Sequence, residues 1–231
     1  MINAKFIPEA HIERAAMELL AAYGKKYGEV TEPPIPVDEI LECQLNLSLR
    51  FKDLAQHYGR NDMLGATWID KKIVVIDQSL EPDDNPKMRG RYRFTVAHEV
   101  GHWVLHREQL LAARSAPLLN QAPEPSIICR TADRKLPVET QADRFAGFLL
   151  MPEEMVRCQW REIAGSDDPY VAEEEIAWLE SQSDRVGGGQ PTVELARWMA
   201  DAFHVSGQAM QIRLVNLKLI LPKKPPASLF G

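Results

Sequence analysis

The sequence predicts an α+β protein: a small mixed or antiparallel sheet packed on helices, one of them a buried helix carrying H-E-x-x-H. A helical C-terminal region with a helix-turn-helix-like pair follows. Three observations predict this. Two strand-like segments lie between residues 45 and 77. A long stretch with apolar residues on nearly every face follows them, and beyond about residue 137 the spacing is helical only.

In order along the chain, Pro8 to Tyr23 places Ile12, Ala15, Ala16, Leu19 and Leu20 at i, i+3, i+4, i+7 and i+8, the stripe of an amphipathic helix. "TEPPIPVDEILECQ" interrupts with prolines, then supports a short helix from about Val37. "LNLSLRF" and "GATWIDKKIVVID" read as strands, the second with β-branched residues at its centre. "EPDDNP" has the composition of a loop. A long helix is expected from about Lys87 to His106. Residues Ala113 to Pro137 read as irregular, with "SIICRT" as a further strand. "VETQADRFAGFLL" returns to helical spacing and stops at "MP", where Pro152 can open the next helix. "VGGGQP" reads as a linker into a final helical pair.

Composition narrows the function classes. At 231 residues, 45% hydrophobic and 26% charged, the chain fits an ordinary soluble globular protein. A net charge of −6 argues against non-specific nucleic-acid binding by the whole chain. Cys43, Cys129 and Cys158 are odd in number and scattered, so they form neither a disulfide framework nor a C-x-x-C metal knuckle. The N-terminus turns polar within a few residues, without a secretory apolar region. No apolar run approaches the ~18 residues of a membrane span. These features point to a reducing, cytoplasmic compartment.

The stretch "RFTVAHEVGHWVLH" (Arg93 to His106) carries the chemistry. His98 and His102 stand four residues apart, which puts both imidazoles on one helix face where they can share a metal ion. Glu99 can flank the open side of that ion. Phe94, Ala97, His98, Gly101, His102 and Leu105 form one stripe, and Val96, Val100, Trp103 and Val104 make the remaining surface apolar as well. A helix apolar nearly all round is buried, and a glutamate buried there is costly without a cation or donor beside it. Gly101, at i+3 from His98, costs the helix ~1 kcal/mol relative to Ala, which is tolerable if another segment approaches closely there.

A catalytic tetrahedral zinc site needs a third protein ligand and one open position. His106 is eight residues from His98, roughly 12 Å along the axis, too far for both to join His102 on one ion. The candidates elsewhere are Cys129, Asp133, Glu124 and Glu139. Glu139 is the best of them: it lies at i−3 from Ala142, at the edge of a buried face made by Ala142, Phe145, Ala146, Leu149 and Leu150. Asp143, four residues on, could accept the free N–H of a ligand histidine. Cys129 reads as a residue of a core strand.

"RYRFTVAHEVGHWVLH" followed by "VETQADRFAGFLLMP" resembles the ImmA/IrrE family of intracellular zinc metallopeptidases. The earlier "IERAAMELL", "PPIPVDEIL" and "LGATWIDKKIVVID" resemble that family's lead-in helix and small sheet. The resemblance implies zinc bound by His98, His102 and Glu139, with Glu99 as the catalytic base. It also implies a protein substrate, often a helix-turn-helix repressor of the XRE type, cleaved in stress response or mobile-element regulation. The corresponding organisation is a metallopeptidase domain over 1–165 and a helical region over 166–231. The competing expectation is a zinc-stabilised regulator or toxin–antitoxin component that binds without hydrolysis.

Two features remain. "KMRGRYR" (Lys87 to Arg93) gathers four cations at the start of the buried helix, where cations are disfavoured; Asp83, Asp84 and solvent are the expected partners, the alternative being a substrate-side anchor for acidic groups. "VELARWMADAFHVSGQAMQIRLVNLKLI" reads as helix, tight turn, helix, with Ser206 as N-cap. Its second helix offers Gln208, Gln211 and Arg213 but little positive charge before Lys218, and phosphate contacts usually need several Lys or Arg. A hairpin that closes the fold or docks a partner is therefore expected over one that binds DNA strongly.

Overall fold

A computed structural model describes residues 6–59, 62–113, 127–130, 136–182 and 191–223, with the backbone alone for 113 and 127–130. The chain divides into two compact units, the first ending at Leu150 and the second starting at Met151. The division falls at the "MP" that stops a helix in the sequence.

In the first unit, helix α1 (Glu9–Tyr27) buries Ile12, Ala16, Leu19 and Tyr23 and ends at Gly28, whose φ of 112° an L side chain rarely adopts. The helix thus runs one turn beyond the Tyr23 expected from periodicity, while its buried stripe stops there. Helix α2 (Val37–Glu39) runs on as a π-helical stretch, Ile40–Gln44. Strand β1 (Ser48–Lys52), helix α3 (Leu54–Tyr58), strand β2 (Met63–Trp68) and strand β3 (Ile73–Asp77) follow. Two 3-10 turns, Gln78–Leu80 and Pro86–Met88, lead into the long helix α4 (Arg89–Ala113). Strand β4 (Ile127–Arg130) and helix α5 (Pro137–Leu150) complete the unit.

The sheet has the order β1-β3-β2-β4. β1 runs parallel to β3, while β2 is antiparallel to both β3 and β4, so the sheet is mixed. The segment "GATWIDKKIVVID", expected as one strand, is a hairpin. Trp68 pairs with Ile73, and Ile69–Lys72 make the turn, closed by Lys72 N–H on the Ile69 carbonyl at 3.4 Å. Lys72 takes a left-handed φ of 55° there. A lysine in that role leaves none of the Gly or Asn signals by which a turn is read.

The sheet register decides what faces α4. Gly65, Thr67, Val74 and Ile76 fall on one face by the pairings Gly65–Ile76 and Thr67–Val74. The opposite face carries Val75, which clusters with Leu54 and Met63, with Tyr58, Trp68 and Ile73 packed against them. α4 packs against β2 and β3 on one side and along α5 on the other, and α5 packs in turn on α1. Val96, Ala97 and Val100 are fully buried. Each larger apolar side chain so enclosed contributes about 1.5–3 kcal/mol relative to exposure. α5 comes close at Gly101: a Cβ there would meet Phe145 at 3.1 Å and the Ala142 carbonyl at 3.2 Å.

Of the basic run, Lys87, Arg89 and Arg91 are exposed, but Arg93 is buried. Its Nη2 donates to the Ile35 carbonyl at 2.5 Å, and Asp38, which accepts from Tyr92 Oη at 2.9 Å, supplies the neighbouring negative charge. The cation nearest the core is thus matched by residues of the α2 segment rather than by Asp83 and Asp84.

The second unit holds helices α6 (Glu153–Ala164), α7 (Glu173–Ser181), α8 (Glu194–Phe203) and α9 (Gly207–Asn216). A short parallel pair, β5 (Tyr170–Val171) with β6 (Ile220–Leu221), joins them. That pair adds strand to a region expected to hold helices only; two residues a side show no alternation to read. α8 ends with His204 in the left-handed region, and Ser206 caps α9 by accepting the Ala209 N–H at 3.1 Å.

Candidate metal centre

His98 and His102 sit mid-way along α4, one turn apart, and Glu139 lies in the first turn of α5. All three are buried. The His98 and His102 Nε2 atoms are 2.9 Å apart. Glu139 Oε2 lies 3.1 Å from His98 Nε2, and its Oε1 lies 3.4 Å from His102 Nε2. Ligands about 2.0–2.2 Å from a tetrahedral ion are about 3.3–3.6 Å from one another, and the 2.9–3.4 Å separations here come close to that spacing. Among the described residues, His98, His102 and Glu139 form a group that could hold a metal ion.

The donor chemistry fits a cation as well as the spacing does. His98 Nδ1 lies 2.8 Å from Asp143 Oδ1 and donates to it, so its Nε2 is free to present a lone pair. That lone pair faces a second imidazole nitrogen and a carboxylate. A proton can satisfy one such pair; a divalent ion satisfies all three. Burial is the main cause that lowers His102 to about 4, keeping it in the neutral form a metal requires. Burial alone would raise Glu139, but the imidazoles of His102 and His98 beside it outweigh that and hold the carboxyl down to about 2.

Glu99 lies on the sheet side of α4. It is fully buried, and Thr67 Oγ1 of β2 donates to its Oε2 at 2.5 Å. Among the described residues, its Oε1 has no hydrogen-bond partner. Burial pushes Glu99 up to about 7, against the opposing pull of His98 and the Thr67 hydroxyl. Gly65 is the close-approach residue on the strand: a Cβ there would stand 2.6 Å from Glu99 Oε1. Any side chain at 65 would displace the carboxylate.

Below His102, one more turn along α4, His106 Nδ1 lies 3.1 Å from His102 Nδ1, and His106 Nε2 lies 2.8 Å from Gln141 Oε1 of α5. His106 contacts His102 from behind and is not in the converging group, in keeping with its distance from His98 along the helix. Of the other third-ligand candidates, Cys129 belongs to β4, with its backbone opposite Gly65. Glu124 and Asp133 lie outside the described residues. Thr67, Gly65 and Gln141 did not stand out in the sequence. Thr67 and Gly65 share a strand segment with Ala66 and Trp68, where nothing marks which face meets α4. Gln141 belongs to a second stripe on α5, with Phe145 and Phe148, beside the Ala142–Phe145–Leu149 stripe.

A helix that presents two imidazoles one turn apart, a carboxylate from a later helix and a glutamate beside the pair define a candidate metallohydrolase site. Residues 44–179 match the IrrE N-terminal-like domain of the peptidase M78 family, and the chain belongs to that family. No curated protein matches the chain. Among solved structures it is similar to a Mycobacterium tuberculosis transcriptional regulator, with 14% identity and a TM-score of 0.44. That likeness covers 90% of this chain and 52% of the other, so the chain spans about half the length of that relative.

Proposed function

We propose that the protein is a zinc-dependent endopeptidase that cleaves a protein substrate, a helix-turn-helix repressor of the XRE type, in stress response or mobile-element regulation. The observation that carries the catalytic part is the convergence of His98 Nε2, His102 Nε2 and the Glu139 carboxylate within 2.9–3.4 Å of one another, with Glu99 beside them. The substrate class rests on the resemblance to the ImmA/IrrE family. No helix among the described residues is long and apolar enough to cross a membrane. Cys43 and Cys158 are free thiols, which supports action in a reducing cytoplasm.

Held by His98, His102 and Glu139, zinc would supply Lewis acidity to a water and to the scissile carbonyl oxygen. The chain's own residues do the rest. Thr67 occupies Glu99 Oε2 and leaves Oε1 as the basic oxygen. Oε1 takes the proton of the attacking water as its oxygen bonds to the carbonyl carbon, then passes that proton to the amide nitrogen as the C–N bond breaks. A carboxylate raised to about 7 is well matched to taking and returning a proton near neutral pH.

The competing reading, a zinc-stabilised regulator or toxin–antitoxin component that binds without hydrolysis, draws on the complete burial of Glu99 under β2. Glu99→Gln separates the two. It retains size and the three ligands, so zinc content stays at the wild-type level, while repressor cleavage in cells under inducing conditions falls about 10²–10⁴-fold. A Glu99→Gln protein that still cleaves at the wild-type rate sinks the peptidase reading.

A further inference from the structure

We propose that His106 and Gln141 are positioning residues that fix the tautomer of His102 and thereby aim its Nε2 lone pair into the metal centre. The inference rests on the metal-centre reading above and adds two residues to it. Its basis is a chain of hydrogen bonds with one consistent assignment of protons. Gln141 Oε1 can only accept, so the 2.8 Å contact requires the proton on His106 Nε2. A neutral His106 protonated at Nε2 carries a lone pair at Nδ1. The 3.1 Å contact between the two Nδ1 atoms then requires the proton on His102 Nδ1. His102 Nε2 is left with its lone pair, 2.9 Å from His98 Nε2 and 3.4 Å from Glu139 Oε1.

The two histidines are thus oriented by different means. His98 donates directly to a carboxylate, Asp143, whose side chain is 35% exposed and keeps part of its hydration. His102 is the more deeply enclosed of the two, with His106 and Gln141 both buried behind it. A carboxylate in that position would add a charge to a region that already holds Glu99 and Glu139, at a desolvation cost. The His106–Gln141 chain supplies the same orientation with neutral groups. A buried donor that loses its acceptor is penalised, so each member of the chain supports the next.

The test uses the full chain and zinc alone, with affinity read by chelator competition and tautomers by two-bond 1H–15N correlation on histidine-labelled protein. In the zinc-loaded wild type, the ring protons are expected on His102 Nδ1 and His106 Nε2. His106→Phe and Gln141→Leu should each weaken zinc binding about 10–100-fold. Gln141→Glu, which keeps an acceptor in place at the cost of a buried charge, should bind more tightly than Gln141→Leu. A proton on His106 Nδ1 in the wild type overturns the proposal without any variant. So does a Gln141→Glu protein as weak as Gln141→Leu, or a Gln141→Leu protein equal to the wild type. If the wild type takes up no zinc, the metal-centre reading itself fails. If it takes up zinc and the variants do not differ from it, only the role of His106 and Gln141 fails.

Discussion

The α4–α5 pair and the α8–α9 hairpin both bury polar side chains, and they do so to different ends. In the hairpin, Gln211 Oε1 accepts the Val193 N–H at 2.7 Å and its Nε2 donates to the Pro191 carbonyl at 2.8 Å. Arg213 Nε donates to the Met151 carbonyl at 3.0 Å. Every one of these bonds ends on backbone, so the polar groups are consumed by the fold. Between α4 and α5 the polar groups end on one another: two imidazole nitrogens and a carboxylate converge, with Asp143 and His106 behind them. Burial of a polar residue therefore says little by itself. What separates a site from a staple is whether the groups satisfy the backbone or are left facing a shared point.

The comparison has a consequence for the helix-turn-helix likeness. Of the three polar residues that α9 was expected to offer a partner, Gln211 and Arg213 turn inward and Gln208 alone is exposed. The outer face adds Ile212, 56% exposed, and no cation. Phosphate contacts need such cations, so residues 191–231 are expected to show no tight, sequence-specific DNA binding at physiological salt. A sequence-specific complex formed by that segment would remove the contrast between the two regions.

Four perturbations rank by size. Glu139→Gln and His102→Ala each remove a converging group and should abolish stoichiometric zinc uptake, read by metal analysis after dialysis. Zinc removal from the wild type should lower stability by ~4 kcal/mol where free zinc had stood a thousandfold above its dissociation constant. An unchanged melting temperature after verified metal loss would contradict this. Gln211→Leu should cost about 1–3 kcal/mol, by leaving the Val193 N–H and Pro191 carbonyl without partners. It should leave zinc content untouched. Any zinc loss in Gln211→Leu would mean that the hairpin is not merely a staple.

Much of this contrast was legible in the sequence, unevenly. Helix α4 could be read because apolar residues on every face announce burial, and the four-residue histidine spacing is meaningful only on a helix. Glu139 could be placed because it sits three residues before a buried alanine on an amphipathic helix. The β2–β3 hairpin could not be separated, since Lys72 takes the left-handed position that a glycine or asparagine would have advertised. Thr67 and Gln141 were invisible for another reason. Their partners, Glu99 and His106, are 32 and 35 residues away, and only sheet register and helix packing decide that they meet. The inward turn of Gln211 and Arg213 is of the same kind: polar residues on a short helix look solvent-facing until the backbone groups they serve are in view.

The most direct measurement of the central claim is a structure of the zinc-loaded protein. It should show one ion bound by His98 Nε2, His102 Nε2 and a Glu139 oxygen at ~2.0–2.2 Å. His106 should lie outside that shell, against His102 Nδ1, and Glu99 should approach the open position without ligating. A loaded ion with Glu139 turned away from it, or with His106 among its ligands, would contradict the account.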